Sequence, residues 1–399
     1  MDDGNKKEII LNAVEIVENS EFITENNETK FRVKDFNAVY NQFRGKILSK
    51  LRKDRYIPKE AYSKEYITKF INVLISEIYK KGTENIRENP LDADIFDQAF
   101  YDVFVCLILD GVEMSMDSLK LGDITLKKLS KEKVDLIVSE SVMDSSFFSD
   151  LIGKVYIEFK AFAEPERAIK LAKKESENIL DLIRYSIPFI YDRPVFVGLQ
   201  GDTTNSTRRS FVVDSNYKWK HGGIEFTGGV YNFDISNRNV QIMKNNGVEE
   251  IAEILEKPDN KRNDFERALI LGVHWFANSQ TQTELENQFL SLMICLEIFL
   301  TPNDGSPISA SISEAVAIIL GFEDGREAIK TKIIEFYSIR SRIVHGRGSK
   351  VKETEVKMLR RYLMQLIPFI INYKERFKSM GDLIDIVNKY KISGGIFKP

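Results

Sequence analysis

Residues 283–300 read TELENQFLSLMICLEIFL. Within them Leu285, Phe289, Leu292, Leu296 and Phe299 keep spacings of four and three, which sets five large apolar side chains along one side of an α-helix. Such a stripe needs neighbours to cover it, and the flanking sequence supplies them. Helical patterns run over 264–278, 309–321, 325–345 and 352–378, separated by short breaks such as TPNDGSP. Five helices with short connections predict an antiparallel bundle, an all-α C-terminal domain over 260–399.

Upstream, the stretch KPDNKRND at 257–264 is polar throughout and contains Pro258, the composition of a segment that few contacts cross. Before it the pattern changes. Between Val103 and Phe233 short β-prone runs recur, VFVCLIL, KVYIEFKAF, PVFVGLQ, RSFVVD and GIEFTGGVYNF, punctuated by Gly, Asp and Asn. One helix interrupts them, from Glu164 to Ile187, with Ala168, Leu171, Ala172, Ile179, Leu182 and Ile183 on one side. Residues 101–256 therefore read as an α+β domain. Residues 1–100 read as a helical N-terminal region, with Tyr66, Phe70, Val73, Leu74 and Ile78 at helical spacing. The expected class is α+β and multidomain, as 399 residues are too many for one ordinary core.

Composition narrows the function classes. With 43% hydrophobic and 29% charged residues the chain is neither disordered nor fibrous. A formal net charge of -3 excludes the broad basic surface of a general nucleic-acid binder, so any such contact must be local. The start, MDDGNKKEIILNAVEIVE, is acidic and amphipathic, and the apolar run Val103 to Leu109 is too short to span a bilayer, so neither export nor membrane insertion is expected. Cys106 and Cys295 lie in apolar runs and read as buried reduced thiols in a cytoplasmic protein.

Chemistry concentrates at residues 337–350, YSIRSRIVHGRGSK. Arg340 lies beside the apolar stripe Ile329, Ile333, Phe336 and Ile343, so a guanidinium emerges next to a bundle-facing surface and needs an anion. Ser341 and His345 are four apart on one helix face, and Gly346 is placed to end the helix. Arg340 and His345 are five apart, about 140° around a regular helix, so a site using both asks for two copies. Glu297, a charge inside the apolar CLEIFL run, is placed to orient Arg340 or His345 from the neighbouring helix.

The order ALILGVHWFANS, a loop, FLSLMICLEIFLTP, a short helix and IIEFYSIRSRIVHGRG resembles the HEPN superfamily, and within it the ApeA-like HEPN domains of bacterial antiphage defence. The resemblance covers residues 264–375. The family signature of Arg, a polar residue, about three more residues and His falls on Arg340, Ser341 and His345, with Ser341 where nucleolytic members most often carry Asn, Asp or His. The resemblance implies a metal-independent endoribonuclease that pairs through the C-terminal helical domain into a homodimer. Both Arg/His pairs then line one cleft. Histidine, whose pKa lies nearest neutrality, is the group to take the proton of a ribose 2′-OH or give one to the leaving oxygen. Arginine's planar fork suits the charge on phosphate oxygens in the transition state. Arg342, Arg347 and Lys350 are expected to hold backbone phosphates and Tyr337 to line the cleft. RNA is the expected partner, a phage-derived or cellular trigger is expected at the N-terminal portion, and no metal or cofactor is expected.

Plainer readings stand beside these. A catalytically silent HEPN scaffold fits the same helices. Asp150, then Glu158 and Lys160 in YIEFK, has the Asp and Glu-x-Lys order of metal-dependent nucleases, though Glu158 and Lys160 equally suit the outer face of a strand. His274 reads as packed beside Trp275, His221 as part of a turn before a strand, and the glycines of HGGIEFTGG as a hairpin. The basic run RGKILSKLRKDR at 44–55 reads as a solvated helix face.

Overall fold

The computed structural model describes residues 3–25, 28–33, 41–53, 61–88, 94–99, 102–140, 149–200, 206–213, 219–227, 231–301, 307–321, 325–346 and 350–393. The chain mixes helix and sheet and ends in a helical region. Contacts divide it into two compact units, Met1–Val105 with Phe159–Lys174, and Cys106–Glu158 with Glu175–Pro399.

In the first unit, helices α1 (Asp3–Glu18), α2 (Asn41–Lys53), α3 (Lys64–Lys81), α4 (Thr83–Glu88) and α5 (Asp94–Ala99) are joined by a hairpin, β1 (Ser20–Glu25) and β2 (Glu28–Val33). The hairpin corrects the all-helical reading of residues 1–100. Helix α3 starts at Ser63, whose hydroxyl accepts the Tyr66 N–H. Its buried face is Ile67, Phe70, Ile71, Leu74, Ile75 and Ile78, and Val73 points outward at 54% exposure rather than joining it. Ile47 and Leu51 of the basic helix α2 are buried, so one side of that helix belongs to the core.

A five-stranded sheet carries the strand order β5-β6-β7-β3-β8. Its members are β3 (Asp102–Asp110), β5 (Ser118–Leu121), β6 (Ile124–Lys128), β7 (Val155–Phe162) and β8 (Gly198–Leu199). The division between the units falls within β3, β7 and the helix that follows β7. PVFVGLQ thus contributes two strand residues, not a full strand. Two separate pairs accompany the sheet: β4 (Val112–Met114) parallel to β11 (Phe233–Ile235), and the antiparallel hairpin of β9 (Ser206–Val213) and β10 (Trp219–Thr227). The hairpin reading holds for residues 221–227 of HGGIEFTGG, while Gly228 and Gly229 lie outside the described residues and His221 lies inside β10 at a register shift rather than in a turn. Cys106 is exposed, contrary to the buried reading, because β3 shows its apolar run to solvent at alternate positions, Phe104 at 63%. Cys295 is buried as expected.

Helices α6 (Lys131–Glu140), α7 (Pro165–Ile190), α8 (Asn237–Asn245) and α9 (Val248–Glu256) lead to the C-terminal helices. These are α10 (Asp264–Asn278), α11 (Leu285–Leu300), α12 (Ile308–Leu320), α13 (Arg326–Val344), α14 (Glu353–Asn372) and α15 (Met380–Ser393), the last of which the apolar pattern did not foretell. A capping box starts α10: the Asn263 side chain accepts the Glu266 N–H at 2.8 Å and Glu266 accepts the Asn263 N–H at 2.9 Å. Helix α11 packs against α10, α12, α13, α14 and α15. Its burial is therefore wider than one stripe, with Ser291, Met293, Cys295 and Leu300 buried alongside Phe289, Leu292, Leu296 and Phe299, while Leu285 is half-buried. Each such large apolar side chain contributes about 1.5–3 kcal/mol.

Candidate active site at the end of helix α13

Helix α13 is pinned by Ile333, Phe336 and Ile339, all buried, and the Phe336 ring meets Phe289 of α11 edge-on at 5.6 Å. One residue past Ile339 the chain delivers Arg340 to the flank of α11. There its Nε lies 3.4 Å from Oε1 of Glu297, and its Nη2 donates to Oε2 at 3.5 Å. Both contacts are long, so this is an ion pair with weak hydrogen bonds, and the Arg340 side chain keeps 37% of its surface in solvent. The anion that the sequence demanded for Arg340 is Glu297.

The Tyr337 hydroxyl is buried close to the Glu297 carboxylate, and makes no hydrogen bond of full geometry to any described residue. Burial, then the nearby Glu297 charge, pushes its pKa well up, so it stays a neutral phenol. Tyr337 is half-buried beside the Arg340–Glu297 pair.

His345 is the C-terminal cap of α13, exposed, its backbone N–H donating to the Ser341 carbonyl at 3.1 Å. Gly346 follows with φ +65°, in the left-handed region that ends helices, and a Cβ there would meet nothing within 4 Å. No side-chain hydrogen bond joins Ser341 to His345 among the described residues; Ser341 is exposed beside it. Arg342 donates to the Ser338 hydroxyl at 3.0 Å along the outer face of α13. Lys350 is exposed just before α14, and Arg347 lies outside the described residues. Arg340, Glu297 and Tyr337 are brought together; His345, Ser341, Arg342 and Lys350 are exposed around the same helix end.

The other carboxylate constellation is differently disposed. Glu158 is held by Lys127 and by Lys133, the latter at 2.9 Å, and these two lysines keep its carboxyl below the usual range against the opposing effect of burial. Lys160 pairs with Asp102 at 2.7 Å, and Asp150 is exposed. Among the described residues no group of three or more His, Cys, Asp or Glu side chains is placed to hold a metal ion. Nor is any helix long and apolar enough to cross a membrane.

Sequence reasoning missed one pair. His274 meets the Trp275 ring edge-on at 5.9 Å as expected but is exposed overall, and its Nδ1 lies 2.7 Å from Asp181 of α7, which Arg184 also contacts at 3.4 Å. The hydrogen bond to Asp181 raises the His274 pKa, with burial opposing it. A signal existed in Asp181 itself, an acid inside the buried run Leu180 to Ile183.

No family model matches this chain, and neither a curated protein nor a solved structure matches it.

Proposed function

We propose that this protein is a metal-independent endoribonuclease of HEPN type, in which Arg340 and His345 from two copies of the chain act on RNA in one cleft. On this reading it is a bacterial antiphage effector, and a phage-derived or cellular trigger acts through the N-terminal portion. The observation that carries the reading is the placement of the two residues: Arg340 is braced from α11 by Glu297 yet still open to solvent, and His345 is exposed at the end of the same helix. A second support is the outer face of α13, where Ile334, Ser338, Ser341 and His345 repeat at four, three and four and all are exposed. Ile334 is 44% exposed and Val344 54%, apolar surface of the kind a partner covers.

The chemistry follows from the residue types. The ribose 2′-oxygen attacks the adjacent phosphorus as histidine takes its proton, the bond to the 5′-oxygen breaks, and that oxygen leaves protonated. Arg340 meets the charge that builds on the non-bridging oxygens. The 5′ fragment ends in a 2′,3′-cyclic phosphate. Cleavage of cellular RNA by the full chain is therefore expected to persist in excess EDTA, and a substrate with a 2′-deoxyribose at the cut position is expected to resist. Activity abolished by EDTA and restored by Mg²⁺ would move the site to Asp150, Glu158 and Lys160.

The Arg340–Glu297 pair itself favours a second reading, a non-catalytic HEPN scaffold in which Arg340 is only a structural partner. RNA left intact by the full chain under every trigger tried, with the fold and the dimer present, would select that reading.

A further inference from the structure

A cavity of about 670 Å³ opens in the second unit, between the segment that follows α7 and the N-terminal halves of α11 and α14. Four cations line it, Arg193, Lys357, Arg360 and Arg361, against two acids, Asp192 and Glu353. Two acids face four cations, and Glu353 acts on Arg360 through its charge without forming an ion pair with it among the described residues. Glu353 is taken by Lys357 at 2.6 Å. Arg360 donates from Nη2 to Oε1 of Gln288 at 3.2 Å, and Gln288 is itself fixed by donating from Nε2 to the Gln282 carbonyl at 3.0 Å. The Nε of Arg360 is buried with no partner among the described residues. Burial pulls the Arg360 pKa down, but a guanidinium remains protonated, so the site holds a desolvated cation positioned by a neutral amide. An anion relieves that cost.

Two further arginines stand ready beside it. The Arg193 guanidinium sits 3.4 Å from the centre of the Tyr231 ring and 5.8 Å from that of Tyr191, contacts that fix its plane. Neither Arg193 nor the exposed Arg361 has a carboxylate partner among the described residues. The segment that carries Arg193 also lines the cavity with apolar and aromatic groups, Pro188, Tyr191 and Phe196. The volume lies in the range of about 300–1,000 Å³ that small-molecule sites occupy.

We infer that this cavity binds a small phosphorylated molecule carrying a flat ring, the chemistry of a nucleotide, with its phosphates on Arg193, Arg360 and Arg361 and its ring against Tyr191. Gln288 and Glu297 are separated along α11 by about 13 Å of helix axis, so the cavity is distinct from the end of α13 and the inference stands apart from the nuclease reading.

Calorimetry on the full chain tests it, with ATP, GTP, adenosine, inorganic pyrophosphate and a short single-stranded RNA as probes. One equivalent of ATP or GTP is expected to bind, more tightly than pyrophosphate and far more tightly than adenosine. Arg193→Ala and Arg361→Ala, both at exposed positions, are each expected to weaken that binding about tenfold or more, as loss of a charge-assisted hydrogen bond does. Arg360→Gln is expected to weaken it further, and should that variant fail to fold, the two exposed variants decide. The inference is overturned if neither nucleotide binds at millimolar concentration, or if binding survives both exposed variants unchanged. It is equally overturned if pyrophosphate binds as tightly as ATP, or if the RNA binds more tightly than either nucleotide through the same arginines. None of these readouts requires RNA cleavage.

Discussion

Truncating His345 removes a ring that is exposed at a helix end and makes no hydrogen bond to a described side chain, so His345→Ala is expected to change stability by no more than about 0.5 kcal/mol. RNA cleavage is expected to vanish with it. Arg340→Ala is expected to abolish cleavage too, and to cost up to about 1 kcal/mol, because the pair it breaks is partly solvated. Arg340→Lys should recover stability without recovering cleavage, since an ammonium cannot present two parallel N–H groups to a phosphate. Thermal melts beside a cleavage assay separate the two effects, and near-wild-type cleavage by either alanine variant would end the catalytic assignment. Tyr337→Phe removes a hydroxyl that is buried and makes no hydrogen bond of full geometry to a described residue, so it is expected to leave stability unchanged or raise it by up to about 1 kcal/mol. A loss of more than that would mean the phenol donates to Glu297 in solution. The Arg340–Glu297 pairing was legible in part: a charge inside the apolar CLEIFL run needs a partner, but the sequence offered Glu297 to Arg340 or His345 alike, and the helix packing selects Arg340. The His274–Asp181 pair was not, since its members lie 93 residues apart and no local pattern links them. Cys106 was misplaced for a related reason: VFVCLIL looks uniformly apolar, and only the pleat decides which of its side chains face water.

Between elements, α10 closes tightly on α11 at Gly272. A Cβ on Gly272 would fall 2.1 Å from Cζ of Phe299, whose ring is itself fully buried. Gly272→Ala is therefore expected to destabilise by about 1–3 kcal/mol in denaturant melts, and Phe299→Leu added to it should recover part of the loss because the two share one space. An unchanged midpoint for Gly272→Ala would show that α10 and α11 pack otherwise. The link from α10 to α7 carries a pH signature. Because Asp181 raises the His274 pKa in the folded state, the pair's stabilisation is full below the unfolded value of about 6.5 and is lost as pH rises through the folded value. Wild type is thus expected to exceed His274→Gln in stability at pH 5.5 and to converge with it above the raised pKa; parallel pH profiles would remove the pair from the account. Helix limits such as those of α10, α11 and α13 were legible because a capping box, a four-three repeat and a left-handed glycine act within a few residues. Hairpin β1/β2, helix α15 and the parallel pair β4/β11 were not. The last joins segments about 120 residues apart through three residues each, and among its described side chains α15 buries two large apolar ones, Leu383 and Val387.

For the whole molecule, a single copy keeps Arg340 and His345 about 140° apart on one helix, and the exposed Ile334, Val344 and Ser341 surround them without cover. A twofold pairing through the outer face of α13 answers both features at once, because an isologous contact places each helix end opposite its equivalent. The full chain is accordingly expected to sediment as a dimer. Ile334→Lys and Val344→Glu put charge on positions that are solvent-exposed in one copy, so each should leave the melting temperature of the separated chain nearly unaltered. In the dimer the same side chains would be buried without partners, a cost of several kcal/mol that shifts the population to monomer. Cleavage should fall in proportion to the dimer remaining, and raising protein concentration should restore it. A mixture of Arg340→Ala chains with His345→Ala chains supplies the sharper readout: if one cleft draws on both copies, a heterodimer keeps one intact Arg and one intact His and regains part of the activity that each homodimer lacks. Monomeric wild type, or active monomers of the Ile334→Lys variant, would place the whole reaction on one chain and leave the exposed face of α13 to another role.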